Sequence, residues 1–437
     1  MRTARPKTSL HLAIFPLLCF SLCSAVIAQA PADTGGPAVN SSVFAPDSIL
    51  GVTAVTQVFG RGQKVTAAIV EFAATLSASG MTPASFSVDE RRILSSKVVA
   101  VPSLDAPAAD GRFVILSLDP TDNAAIIFSA DVEQAPQLVL HLAAPVISTD
   151  GRAIAPSDKG VINTRVANPI VDDFRQFRFT DHESGLLLDY NLFIPASYDP
   201  GRSYPLVMFL HDAGVTGSNP RRTLQQGLGA VAFAGPRDQA RHPAFVLAPQ
   251  FPVPLANDAS QTSVYVAMLP RLVDAIAHDY AIDRGRIYAT GQSGGCMTSI
   301  ALDIADPDLF AGTLCVAGQW DTAVVAPLAQ ANFWAIVSED DDKAFPGMTA
   351  IMKALEESGA RVVRGRLDAK ATPADQAAAV AALRSAGGAA HIFFTTFAPG
   401  SMLPEGTAAN GGAGHVNTWV YAYDIPAVRD WLFEQHR

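Results

Sequence analysis

Between Arg286 and Ile300 the chain reads RIYATGQSGGCMTSI, in which an apolar, β-branched run ends in Gly291-Gln292-Ser293-Gly294-Gly295 and passes straight into a helix-compatible segment. A strand that turns into a helix this abruptly holds its serine in strained backbone, and the residues around it must be very small for the neighbouring chain to pass. Ser293 is then expected at the carboxyl end of a sheet strand and the amino end of a helix. There the helix dipole and the free N–H of Gly294 favour the negative charge of a tetrahedral intermediate. This is the pattern of a nucleophile elbow.

Outward from that turn, the chain has the rhythm of alternating strand and helix. Strand-like runs from about Asp173 are LLLDYNLFIP, YPLVMFLHD, AFVLAPQF, RIYATG, GTLCVAG, NFWAIVS, ARVVRGR and HIFFTTF. Helical stretches lie between them, including Tyr265 to His278, Gly347 to Ser358 and the alanine-rich Pro373 to Ser385. Such alternation specifies a mainly parallel sheet covered on both faces. Leu50 to Asn168 differs: VTAVTQVFG, KVTAAIVEF, ASFSVDE, KVVAVPS, RFVILSL, AAIIFSA and QLVLHLA are short, alternating and separated by turn residues. That series predicts an all-β sandwich, immunoglobulin-like in architecture only, because no Cys…Trp…Cys arrangement accompanies it. Residues 29–49, rich in Gly, Pro, Ala and Ser, read as a flexible linker.

With 437 residues, 49% apolar and 16% charged, the chain has material for two domains. Arg2, Arg5 and Lys7 precede the apolar run Leu10 to Ile27, and small residues follow, so residues 1–28 are expected to be an export signal cleaved after Ala28. The run is short for a membrane span, and Cys19 and Cys23 lack the small residues that precede a lipid-bearing cysteine. A net charge of −10, more negative still once the basic leader is removed, argues against nucleic acid or an anionic membrane as partner. Cys296 and Cys315 then remain; the reading favours two buried thiols over a disulfide.

Three histidines follow Ser293. His391 falls in the apolar strand HIFFTTF and His436 beside the chain end, so His415, in GGAGHVNTW, is the expected general base, carried by a glycine-rich loop after the last strand. The orienting acid is sought in Glu339-Asp340-Asp341-Asp342, just past the strand NFWAIVS, with Asp321 in GQWD as runner-up and a solvated acidic loop or a weak calcium site as the bland reading. The loop His211-Asp212-Ala213-Gly214 is expected to supply the second oxyanion donor, through the N–H of Asp212 or of Ala213. Gln292, Trp320 and Trp419 are candidate pocket walls.

The segments YPLVMFLHDAG, YAIDRGRIYATGQSGGCMTSIALDIADPDLFAG, VAGQWD, FWAIVSEDDDKAFPGM and GHVNTWVYAYDIPAVRDWLF together resemble the exported esterases often labelled predicted peptidases. These are related to polyhydroxybutyrate depolymerase-like and feruloyl-esterase-like enzymes, and some carry an amino-terminal immunoglobulin-like domain. The resemblance covers about Leu50 to the end. It implies an α/β-hydrolase fold over residues 169–437, preceded by the sandwich over 50–168, with nucleophile Ser293, base His415 and acid Asp341. Two positions depart from the family pattern: Val337-Ser338 stands where His-Gly precedes the acid, and His211-Asp212 where the oxyanion loop has His-Gly. The expected activity is hydrolysis of carboxylic esters, small or polymer-derived, through an acyl-enzyme and without metal or organic cofactor. A serine peptidase would use the same residues. A polymer- or partner-binding protein with an inactive hydrolase half is the alternative from another class.

Overall fold

The computed structural model describes residues 48–403 and 410–437. The expected export signal and almost all of the expected linker lie outside them. So do residues 404–409, within a stretch the chain length allows as a lid. Among the described residues, no helix is long and apolar enough to cross a membrane.

The amino-terminal part holds β1 (Ile49–Phe59), β2 (Gly62–Leu76), β3 (Phe86–Val88), β4 (Ile93–Val99), β5 (Gly111–Leu118) and β6 (Ile126–Phe128). It continues with β7 (Val139–Leu142), β8 (Val146–Ile147), β9 (Ala153–Ile154), β10 (Ser157–Ile162) and β11 (Arg165–Ala167). One sheet runs β11-β1-β2-β5-β4 with β6 added to β2, and the facing sheet runs β10-β7-β3. Successive residues of a strand point to opposite faces, and the burial follows that period. Val52, Ala54, Ala68, Val70 and Phe72 meet Phe86, Val88, Leu140 and Leu142 between the sheets. The intervening Val55, Ala67, Ile69 and Ile115 form a smaller cluster on the outer face, closed by Ala106.

The second part is a nine-stranded sheet. Its strands are β12 (Phe174–Thr180), β13 (Leu187–Phe193), β14 (Tyr204–Leu210), β15 (Phe245–Gln250) and β16 (Ile282–Gln292). Then come β17 (Gly312–Val316), β18 (Phe333–Ser338), β19 (Val362–Leu367) and β20 (Ile392–Phe397). They lie in the order β12-β13-β15-β14-β16-β17-β18-β20-β19. From β15 across to β19 all pairings are parallel; β12 pairs with β13, and β13 with β15, antiparallel. A strand buried on both faces must be apolar throughout, and β14 is: Leu206, Met208 and Leu210 enter one core while Val207 and Phe209 enter the other.

Helices α1 (Arg222–Gln225), α2 (Leu228–Ala234), α3 (Pro236–Arg241), α4 (Leu269–Asp279) and α5 (Gly294–Ala305) cover this sheet, with α6 (Ala344–Glu357), α7 (Pro373–Gly387), α8 (Gly411–Ala422) and α9 (Pro426–Phe433). The alanine-rich segment is α7. It packs on β19 and α9 and sends Val380 into the core, so it is a covering layer of the sheet. From β14 the chain returns to β15 on one side and to β16 on the other, which makes a switch point. Sheets of this type bind ligands in the crevice that opens there, beyond the carboxyl ends of the strands.

Candidate active site

Ser293 occupies the turn between β16 and α5 with φ 52° and ψ −119°, a conformation that few side chains adopt. The turn is held by sterics more than by bonds. A Cβ on Gly291 would lie 2.4 Å from the carbonyl carbon of Gly295, and one on Gly295 would lie 1.9 Å from the carbonyl oxygen of Leu210. Gly294 has open space around it. Gly291 and Gly295 are therefore required by close backbone approach, whereas Gly294 stands at the first position of α5, where an N–H has no partner within the helix. The Ser293 N–H donates to the Val316 carbonyl at 2.9 Å, which ties the elbow to β17.

His415 and Asp341 meet Ser293 in a line. His415 Nε2 is 2.8 Å from Ser293 Oγ, and His415 Nδ1 is 2.5 Å from Asp341 Oδ2. An ionised Asp341 accepts, so Nδ1 carries the proton and Nε2 is free to accept from the serine. Burial pushes the Asp341 carboxyl up, but the His415 hydrogen bond and charge and the backbone N–H groups of Ala344 and Lys343 outweigh it and hold the group below its ordinary value. Those two N–H groups donate to Oδ1 at 2.8 and 3.0 Å and begin α6, which is why that helix starts three residues before the expected Gly347.

Two of the remaining carboxylates of the acidic run are engaged elsewhere, and the third borders the cavity beside Ser293. Glu339 takes Arg366 and Thr396, Asp340 accepts from the Gly400 N–H at 2.6 Å, and Asp342 fills the space a Cβ on Gly411 would need. Asp321 is exposed and caps its own turn through the Ala323 N–H. His391 and His436 are exposed and away from Ser293.

His415 departs from its expected setting: it lies in the second turn of α8, not in a loop. The helix is started by Asn410, whose side chain accepts from the Ala413 N–H at 2.8 Å. Its glycines mark contact with the acid loop, since a Cβ on Gly414 would come within 2.6 Å of Asp340 Cβ.

The loop after β14 lies against the start of α5, as the Gly295–Leu210 approach requires. Buried His211 accepts from the Phe251 N–H through Nε2 at 3.0 Å, so its Nδ1–H donates to the Asp212 carbonyl at 2.7 Å. Burial lowers the affinity of this imidazole for a second proton and keeps it neutral. The Asp212 carboxylate accepts from the Gly214 N–H and from Gln292 Nε2, both at 2.7 Å.

A cavity of about 300 Å³ opens beside Ser293 and His415, bounded by Met297, Gln319, Lys343 and Asp258. Lys343 Nζ and Asp258 Oδ2 pair across its rim at 2.6 Å. None of these four was singled out by the sequence; Lys343 and Met297 stand close to Asp341 and Ser293, and that nearness was the available signal. The three expected pocket walls are placed otherwise. Gln292 is fully buried beneath the oxyanion loop, Trp320 packs in the core behind α5, and Trp419 sets its ring edge-on to His415, with centroids 5.1 Å apart, on the core side.

The two mature cysteines are also corrected: Cys296 and Cys315 form a disulfide, with Cα atoms 4.8 Å apart. Gly291 is the register partner of Cys315, so the first turn of α5 sits directly over β17.

Strand order, switch point and elbow define an α/β-hydrolase fold. Residues 51–162 match the family described as the esterase Ig-like N-terminal domain. Among solved structures, a thermostable esterase superposes with TM-score 0.76 at 26% identity, covering 89% of this chain and 100% of that one. The feruloyl esterase module of Clostridium thermocellum gives TM-score 0.37 at 15% identity, over 58% of this chain and 86% of that one. A ferulic acid esterase of Anaeromyces mucronatus gives 0.37 at 12%, over 59% and 91%. A search of curated protein sequences returned no match. The chain thus joins an esterase Ig-like amino-terminal domain to an α/β-hydrolase domain, the build of a carboxylic ester hydrolase.

Proposed function

We propose that the protein is an exported serine hydrolase that cleaves carboxylic esters through an acyl-enzyme, with Ser293 as nucleophile, His415 as base and acid, and Asp341 as the orienting carboxylate. The observation that carries this reading is the line Ser293 Oγ, His415 Nε2, His415 Nδ1, Asp341 Oδ2 at 2.8 and 2.5 Å. His415 takes the serine proton as Oγ bonds to the ester carbonyl carbon, then gives it to the alcohol as the C–O bond breaks. Water, deprotonated by the same imidazole, adds to the acyl carbon and Ser293 leaves as the hydroxyl.

The oxyanion donors are the N–H groups of Gly294 and Ala213. The Gly214 N–H is already taken by Asp212, and the Asp212 carbonyl is held by His211. In a trans peptide that carbonyl points opposite to the Ala213 N–H, which is thereby aimed away from His211. An ester is favoured over an amide because an alkoxide leaves more readily. Export agrees with the basic, apolar leader and with a disulfide, which persists in oxidising compartments.

The test is hydrolysis of a short-acyl chromogenic ester by the mature protein, beside Ser293→Ala and His415→Ala, with aminoacyl amides in parallel. Each variant is expected to lose at least about a thousandfold in kcat. Ester turnover surviving in Ser293→Ala, or amides cleaved in preference to esters, would overturn the reading.

A further inference from the structure

The helix that carries His415 is weak by composition. Its first turn holds Gly411, Gly412 and Gly414, and glycine is among the poorest helix formers. Gly414 is imposed from outside, because Asp340 Cβ and the Asp340 backbone occupy the space its Cβ would need, and the Asp342 carboxylate lies against Gly411. A helix so placed needs a second hold if its imidazole is to stay within hydrogen-bond reach of Ser293.

That hold comes from the other domain. The turn between β1 and β2 lies on the far side of α8. A Cβ on Gly60 would come within 2.6 Å of the Val420 carbonyl oxygen and 2.9 Å of its Cα, so the turn meets the helix backbone directly. From the same turn the Arg61 guanidinium donates to Asn417 Oδ1. Asn417 is buried, and its Nδ2 donates to the Ala413 carbonyl at 2.8 Å, one turn back along the helix. Asn417 stands two residues after His415, roughly 200° around the helix, so Arg61 presses on the side opposite the imidazole.

We infer that the Gly60-Arg61 turn of the Ig-like domain is a clamp for the catalytic helix, and that Arg61 is a positioning residue that acts on His415 through Asn417. The inference rests on the proposed role of His415. The domain is held to the hydrolase part elsewhere too: Gln225 Nε2 donates to Gln63 Oε1 at 2.8 Å, and Asn219 and Arg222 reach Glu133. Those contacts do not touch α8. They separate a general loosening of the interface from release of the clamp.

The experiment uses the full mature chain with Arg61→Ala, Arg61→Lys, Asn417→Ala, the double variant Arg61→Ala/Asn417→Ala, and Glu133→Ala. Two rates are read at a temperature well below every measured Tm: ester turnover, and covalent labelling of Ser293 by a fluorophosphonate. Absence of labelling in the unsubstituted protein, or equal labelling in Ser293→Ala, would sink the site assignment itself and not the clamp. Given labelling, Arg61→Ala is expected to lower both kcat and the labelling rate by about tenfold or more with KM little changed, because small misplacement of a catalytic group costs rate more than binding. Arg61→Lys should recover part of the loss, and the double variant should be no worse than the poorer single one. Unchanged rates in Arg61→Ala, an additive double variant, or an equal loss in Glu133→Ala would each overturn the inference.

Discussion

The two helices that meet at Ser293 are held in opposite ways. Helix α5 is fixed from within the sheet: Gly291 and Gly295 allow backbone to touch backbone, and Cys296 is bonded to β17. Helix α8 begins in glycines, rests on the acid loop by van der Waals contact, and is braced across a domain boundary at Asn417 and Val420. The site thus pairs a proposed nucleophile whose place is set by backbone-to-backbone contact with a proposed base whose place is set by side-chain packing. Substitutions at α5 should be nearly all-or-none, and those at α8 graded.

The sharpest test lies where the helices are joined. Asp341→Asn keeps a cap for α6 but gives His415 a partner that no longer stabilises its protonated form; kcat is expected to fall by on the order of a thousandfold or more, with Tm changed little. A loss below tenfold would mean that α8 alone orients the imidazole. Next in size is Gly295→Ala. Its Cβ would overlap the Leu210 carbonyl, so the turn must open, and we expect at least about a hundredfold loss in kcat/KM with a Tm lower by several degrees. Retained activity there would contradict the all-or-none character of α5.

The disulfide should matter to stability more than to rate. Its loop of 19 residues corresponds to roughly 3 kcal/mol, so Cys296→Ala/Cys315→Ala should melt earlier yet keep kcat within about threefold, since the glycines still define the elbow. A collapse of kcat at temperatures where that variant remains folded would show that the bond, and not the backbone contact, sets the nucleophile.

The smallest effect concerns the other end of α5. Asp303 is buried with Oδ2 unpartnered, and burial pushes its carboxyl up to about 7. Unfolded, it ionises near ~4, so between those values the folded state holds a proton the unfolded state has lost, and stability falls as pH rises. Asp303→Asn should therefore raise Tm by a few degrees at pH 8 and by less at pH 5, as read by calorimetry. An equal shift at both values would remove ionisation as the cause.

What the sequence disclosed follows the same division. The elbow was legible because glycine at Gly291 and Gly295 is a chemical necessity that leaves a local mark. That His415 and Asp341 lie beside Ser293 was reachable because the segments past the carboxyl ends of such strands gather at one edge of the sheet. The helix around His415 was hidden: a glycine required by the close approach of the Asp340 backbone, Gly414, looks like a loop glycine when that neighbour is not seen. The disulfide depended on the register of Gly291 with Cys315, which a spacing of 19 residues does not express. Trp320 and Trp419 are near the site in sequence but face inward, whereas Asp258 and Gln319 reach the cavity from segments far apart along the chain.

The contact between Gly295 and Leu210 carries a consequence for change over time. It places the loop that holds Ala213 against the start of α5 without any intervening side chain, so the spacing of the two proposed oxyanion donors, the N–H groups of Ala213 and Gly294, is set by backbone contact and not by the filling of the surrounding core. In the proposed reaction, substitutions at the cavity rim, at Asp258, Gln319 or Lys343, would then alter the choice of substrate while leaving that frame in place. Inheritance of the reaction and divergence of its target are, in this molecule, assigned to different atoms.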